Sequence, residues 1–343
     1  MQHGRICQNP KALGNSIKLC FRGPVLNDSA RLCILLGATI VVGTVAQDAP
    51  ARLGADGTAS SASMNGPSAS GSNPTATRDL MNGVIDGVKQ SEREQALYER
   101  IERVEIRKQI GDPNPQSVKA YRVFPAGTGT AKIPLGPDGK PTDQEAYRTE
   151  LERLLKSLTW AAENGQPQRD AYQRVQKKLK EHEEAIDATR NAFLFTFLDQ
   201  ESRGDRMVSK YRMDPNPAFR PTNRTTSIYP RVKGLVWIDD ASHQLARAEV
   251  EVTEDISLGV FLAKVYKGSR FYQDRYEVAP GIWLPTFLQF DFDGRKFFSN
   301  FSIHEKTFYS DYKRIGPPAQ AIPQIQAELA GLDNLKPKQS LDR

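Results

Sequence analysis

Along residues 193–304 apolar and polar side chains alternate, and turn residues interrupt the alternation at short intervals. FLFTFL precedes ESRGD and MVSKYRM. KGLVWID precedes DASH and QLARAEVEV. RFYQDRYEV precedes Pro280-Gly281 and IWLPTFLQFDF, and Asp293-Gly294 precedes RKFFSNFSIH. A period of two predicts strands wet on one side, and tight turns between them predict antiparallel hairpins. Asp-Gly between alternating runs predicts a two-residue turn at 293–294. That register sets Asp291 opposite Lys296 and Phe290 opposite Phe297. Leu288, Phe290 and Phe292 then share a face with Phe297, Phe301 and Ile303. Gln289, Asp291, Ser302 and His304 take the other face.

Upstream the period lengthens. ERVEIRKQI and SVKAYRVF still read as strands, but Tyr147, Leu151, Leu154, Leu155 and Leu158 fall on one face of a helix. Thr142 and Glu145 have the spacing of a capping box. Gly165 and Pro167 break that helix. Tyr172, Val175, Leu179 and Ile186 make a second stripe, and its charged remainder, RVQKKLKEHEE, predicts a solvated helix face. Leu80, Met81, Val84, Ile85 and Val88 predict a short amphipathic helix over 79–91, weakened by Gly83 and Gly87. The class is α+β: a sheet domain over 78–315, with a helical pair inserted at 142–190 and a C-terminal tail at 316–343.

The first 77 residues change how composition is weighed. Residues 32–45 are apolar or small and uncharged, Arg31 precedes them, and Thr44-Val45-Ala46 presents small residues to a signal peptidase. This predicts a leader over 1–46 cleaved after Ala46, since a spanning helix needs about twenty apolar residues. Residues 47–77, rich in Ser, Gly, Ala and Pro, predict a disordered tether. Cys7, Cys20 and Cys33 all lie in the leader, so the mature chain has no disulfide, thiol nucleophile or cysteine metal site. The leader also holds five of the 47 Lys/Arg and one of the 41 Asp/Glu. The 42 basic and 40 acidic residues left give a net charge near +2. Bulk charge therefore does not point to nucleic acid. The expected location is the periplasm or cell envelope.

Asp239, Asp240, Ser242 and His243 are the residue types of a hydrolytic triad, crowded into five positions. A triad draws its members from separate elements at fixed distances, whereas Asp and Ser between two strands are what a turn requires. Ser242 and His243, adjacent on extended chain, would point to opposite faces. His182 opens HEEAI, and a zinc helix would need a second His where Ile186 stands. Gly127-Thr128-Gly129 and GPDGK at 136–140 are too short for nucleotide loops. No catalytic residue, metal site or cofactor is expected. A carboxylate pair for glycoside hydrolysis leaves no local signature, so a hydrolase stays as a third reading.

Trp237, Trp283, Phe290, Phe297 and Phe301 either fill a core or line a cavity for an acyl chain. The phrases KGLVWIDDASHQLARAEVEV, VAPGIWLPTFLQFDFDGRKFF and YSDYKRI bear on this choice. Through them the chain resembles, over about 95–315, a family of exported bacterial proteins of unassigned function. Over 193–315 it is more distantly similar to the LolA-type carriers that sort outer-membrane lipoproteins. The resemblance implies a single curved antiparallel β-sheet, an incomplete barrel, whose concave apolar face is covered by helices and holds lipid tails. The helical pair has no counterpart in a simple carrier. The expectation is an exported, non-catalytic protein that binds an apolar ligand, a lipid or lipidated protein, through those five aromatic residues. The alternative is an envelope interaction or sensor protein with a filled core, using the helical pair around 169–184 as its partner surface.

Overall fold

The computed structural model describes residues 74–258, 263–296 and 299–334. Ala46, nearly all of the tether, and Phe297 lie outside them. Helix α1 (Pro74–Gln95) leads into β1 (Tyr98–Arg107), β2 (Ser117–Pro125) and β3 (Thr130–Leu135). Helices α2 (Gln144–Ala162) and α3 (Gln166–Ala192) follow. Next come β4 (Phe193–Arg203), β5 (Arg206–Pro215), a 3-10 turn (Thr226–Arg231), β6 (Val232–Asp239) and β7 (Leu245–Val252). The chain ends with β8 (Ile256–Leu258), β9 (Ala263–Val265), β10 (Arg270–Ala279), β11 (Ile282–Lys296), β12 (Ser299–Arg314) and α4 (Pro318–Asn334).

The strands form one 12-stranded sheet in the order β3-β2-β1-β12-β11-β10-β7-β6-β5-β4, with β9 added to β11 and β8 to β9. Every pairing is antiparallel. β3 and β4 stand at the two ends of the path, so the sheet is open and not closed into a barrel. Register shifts in β1, β4, β7 and β10 supply local twist.

One register expectation is corrected. Lys296 pairs with Ser299, Gly294 with Phe301 and Asp291 with His304, so Asp293-Gly294 lies inside β11 and does not turn the chain there. The reason is tertiary. β9 pairs with β11 at Gly294, where a Cβ would meet the carbonyl oxygen of Lys264. This glycine admits a neighbouring backbone; it does not turn the chain. The slip is an even number of residues, so the faces survive it. Leu288, Phe290 and Phe292 do share a buried cluster with Phe301 and Ile303.

The helices do not all cover one face. α1 and α3 lie over one side, where Met81, Val84 and Ala185 join Met213, Val236, Val250 and Phe271. α2 and α4 lie on the other, where Leu151, Leu154 and Leu158 meet Phe124, Ile133 and Ile325. The inserted helical pair is thus two helices in separate clusters. The segment after residue 315 is helical and packs on the first of them. Arg122 fastens this arrangement: it donates to Glu99 at 2.7 Å and to Glu328 at 2.8 Å, and Tyr147 Oη donates to Glu328 at 2.7 Å. The cap of α2 is Asp143, not Thr142, with Oδ1 accepting from Glu145 N at 2.9 Å and Ala146 N at 3.1 Å.

Candidate functional site: an apolar cavity beneath the first helix

Met81, Val84, Ile85 and Val88 recur at i, i+3, i+4 and i+7, so α1 presents one apolar stripe. The stripe faces the sheet and all four residues are buried. The C-terminal half of α1 is pinned. Arg275, 1% exposed, meets Glu92, 2% exposed, at 3.2 Å. Ser91 Oγ accepts from Trp283 N at 3.3 Å. Towards α3, Lys89 pairs with Asp187 at 2.7 Å and Arg93 with Glu183 at 2.5 Å. These contacts lie from Lys89 onward, whereas the apolar stripe lies mostly before it.

Beneath that stripe is a cavity of about 100 Å³. α1 contributes Met81, Val84, Ile85 and Val88, α3 contributes Ile186 and Thr189, and the strands β4–β7 complete the wall with residues such as Phe195, Val236 and Val250. Thr189 is the one polar residue, and its hydroxyl donates to Ile186 O at 2.6 Å. Such a wall offers water no partners. A dry apolar cavity of ~150 Å³ is large enough to take benzene, so this space suits the end of an alkyl chain.

The aromatic residues singled out from sequence divide between the two faces. Phe290 lies in the helix-covered core, 5.3 Å from the Phe271 ring and 5.6 Å from that of Phe292, and Phe301 packs on the same cluster. Trp237 and Trp283 are together on the opposite face with Val208 and Ala246. There Arg247 lies 4.7 Å over the Trp237 ring and Arg206 5.0 Å over that of Trp283. None of the four lines the cavity. Its wall comes from α1 and from the small and branched residues of β4–β7. Their periodicity is legible in the sequence, but it does not say which helix lies over which strands.

Asp239, Ser242 and His243 form a turn. Asp239 Oδ1 accepts from Ser242 Oγ at 2.7 Å and from Ser242 N at 2.8 Å. His243 N donates to Asp239 O at 2.8 Å, and His243 takes a left-handed φ of 55° in place of the extended one expected. Burial works against the Asp239 carboxylate. The Ser242 hydrogen bonds and Arg206 at 3.4 Å nevertheless hold its pKa below the ordinary range. Among the described residues no group of three His, Cys, Asp or Glu is placed to hold a metal. No described helix is long and apolar enough to cross a membrane.

No protein-family model matches the chain, and no curated protein is significantly similar to it. Solved structures do resemble it. A LolA superfamily protein from Nitrosomonas europaea is 11% identical with a TM-score of 0.27, covering 68% of this chain and 92% of its own. A protein described as a lipoprotein-sorting protein domain of the outer membrane, from Vibrio parahaemolyticus, is 11% identical with a TM-score of 0.26 over the same shares, 68% and 92%. A DUF1329 family protein from Desulfovibrio piger is 10% identical with a TM-score of 0.27, covering 71% and 94%.

Proposed function

We propose that this is an exported, non-catalytic protein that binds an apolar ligand, a lipid or the lipid moiety of a lipidated protein, between α1 and the helix-covered face of the sheet. The observation that carries this reading is the apolar cavity of about 100 Å³ walled by the stripe of α1 and the strands β4–β7. Export rests on the leader pattern ending at Ala46. Burial of apolar area supplies affinity at roughly 25 cal/mol per Å². An alkyl chain in this wall therefore gains affinity without any hydrogen bond.

The ligand-binding role read from sequence for Trp237, Trp283, Phe290, Phe297 and Phe301 passes, in this proposal, to Val84, Ile85, Val236 and Ala248. Ala248→Phe places a ring where the cavity lies and leaves α1 and its ion pairs unchanged. Uptake of the fluorescent apolar probe N-phenyl-1-naphthylamine is expected to fall at least tenfold in this variant, with an unchanged circular dichroism spectrum. Phe290→Leu, in the filled core, should leave uptake within twofold. Full uptake by a folded Ala248→Phe protein would sink the proposal.

A further inference from the structure

The cavity does not end against protein on every side. Next to it is a second space of about 290 Å³ that shares Met81, Phe193 and Phe195 with it. The lining of this vestibule changes character: beyond the shared residues it is Thr77, Arg78, Asn82, Arg190, Asn191 and Asn216, with Leu194. Two cations and three amides surround the mouth of an otherwise apolar space, and among the described residues no carboxylate lines it.

The two arginines are not equivalent. Arg190 is already engaged: it donates to Asn82 O at 2.9 Å and pairs with Asp86 and with Asp187 at 3.3 Å. Its charge is largely answered by its neighbours. Asn216 is also spent, because Nδ2 donates to Asn191 O at 2.8 Å and Oδ1 accepts from Ala218 N at 3.0 Å. Arg78 is exposed and, among the described residues, makes no hydrogen bond or ion pair. It precedes Met81 and Asn82 by three and four positions, so the three share one side of α1. Followed along the helix, that side runs from Arg78 at the mouth through Met81 to Ile85 and Val88 in the cavity.

We infer that the ligand is a single-chain amphiphile with an anionic head, a carboxylate or phosphate monoester. Its chain enters the cavity and its head stays in the vestibule against Arg78. This rests on the apolar-ligand reading above and adds the head to it. Charge complementarity selects the sign, since the unanswered charge at the mouth is positive. Cavity size selects one chain: about 100 Å³ leaves no room for several side by side. The head keeps its water at an open mouth, so Arg78 adds a partly solvated contact and not a buried ion pair.

The test uses the purified protein with decanoate, decanol and decyltrimethylammonium, each below its micellar concentration, by displacement of N-phenyl-1-naphthylamine. Decanol reports the cavity alone. Arg78→Gln is expected to weaken decanoate roughly threefold to tenfold and to leave decanol within twofold. Arg78→Lys should retain most of the decanoate affinity, and raised salt should lower it in the parent only. Decanoate and decanol both bound but both indifferent to Arg78→Gln would overturn the anionic-head inference and leave the cavity reading standing. Equal weakening of both would also overturn it, because the residue would then be shaping the cavity. If none of the three displaces the probe, the cavity reading fails and this inference with it.

Discussion

The contact between Glu92 and Arg275 offers the sharpest test of how α1 is held. Both side chains are almost fully buried, with Nη1–Oε1 at 3.2 Å. The remaining described contacts of Arg275 are from Nε and Nη2 to Trp283 O, at 3.3 and 3.0 Å. Glu92→Gln preserves shape and removes one charge, leaving the guanidinium buried against neutral groups. Breaking a buried pair from one side costs about 3–5 kcal/mol, and retention of an amide acceptor favours the lower end, about 3. For a domain of this size that is a fall in Tm of roughly 6–12 °C. Arg275→Met should cost a similar amount, because it leaves the buried Glu92 carboxylate without its guanidinium. The double variant removes both charges and their desolvation together, so it should lie within about 1 kcal/mol of the parent. Urea denaturation of all four proteins, with thermal melts followed by circular dichroism, completes the cycle. The reasoning fails if either single variant costs under about 1 kcal/mol, or if the double variant loses the sum of the two. The first result would mean that water reaches the pair, and the second that the two side chains act independently.

Gly234 opens the phrase GLVWID, and a Cβ there would meet the backbone oxygen of Glu249 on β7. Gly234→Ala should therefore push β6 from β7 and cost about 1–3 kcal/mol in urea denaturation; a neutral result would show that the strands separate freely. Glu305 stands opposite Phe290, where burial raises its carboxyl pKa against the opposing hydrogen bond from Thr307 Oγ1 and the charge of Lys132. A raised folded pKa gives stability that is complete below the unfolded value of about 4.3 and lost as pH rises through the folded one. Glu305→Gln should accordingly raise the urea midpoint at pH 7, with the gain gone below about pH 4. A gain that persists unchanged at low pH would assign it to packing.

Much was legible locally because the signals are periodic. Leu151, Leu154 and Leu158 marked a helix face, and all three are buried against one cluster. The alternation in β7 set Ala246, Ala248, Val250 and Val252 on one face; the last three lie in the helix-covered core, whereas Ala246, at a register shift, joins Trp237 on the other side. The turn at Asp239–Ser242 was readable because short polar side chains cap their own backbone. The hairpin at Asp293-Gly294 misled for a physical reason: a glycine that admits the backbone of β9 and a glycine that turns a chain are the same letter. The aromatic residues were legible only as buried bulk. Apolar bulk shows that a side chain is buried, but not whether it fills a core, as Phe290 does, or packs under a cation, as Trp237 does.

What the sequence by itself determined is the strand and helix faces and the antiparallel α+β class. Each depends on neighbours within about four positions. Only the tertiary structure decided that α2 joins α4 on one face while α1 and α3 take the other. It alone left an apolar space under Val84 and brought Arg78 to its mouth. Those facts depend on contacts between residues a hundred or more positions apart. Such contacts are set by which faces can be covered together, and periodicity in one segment carries no record of that.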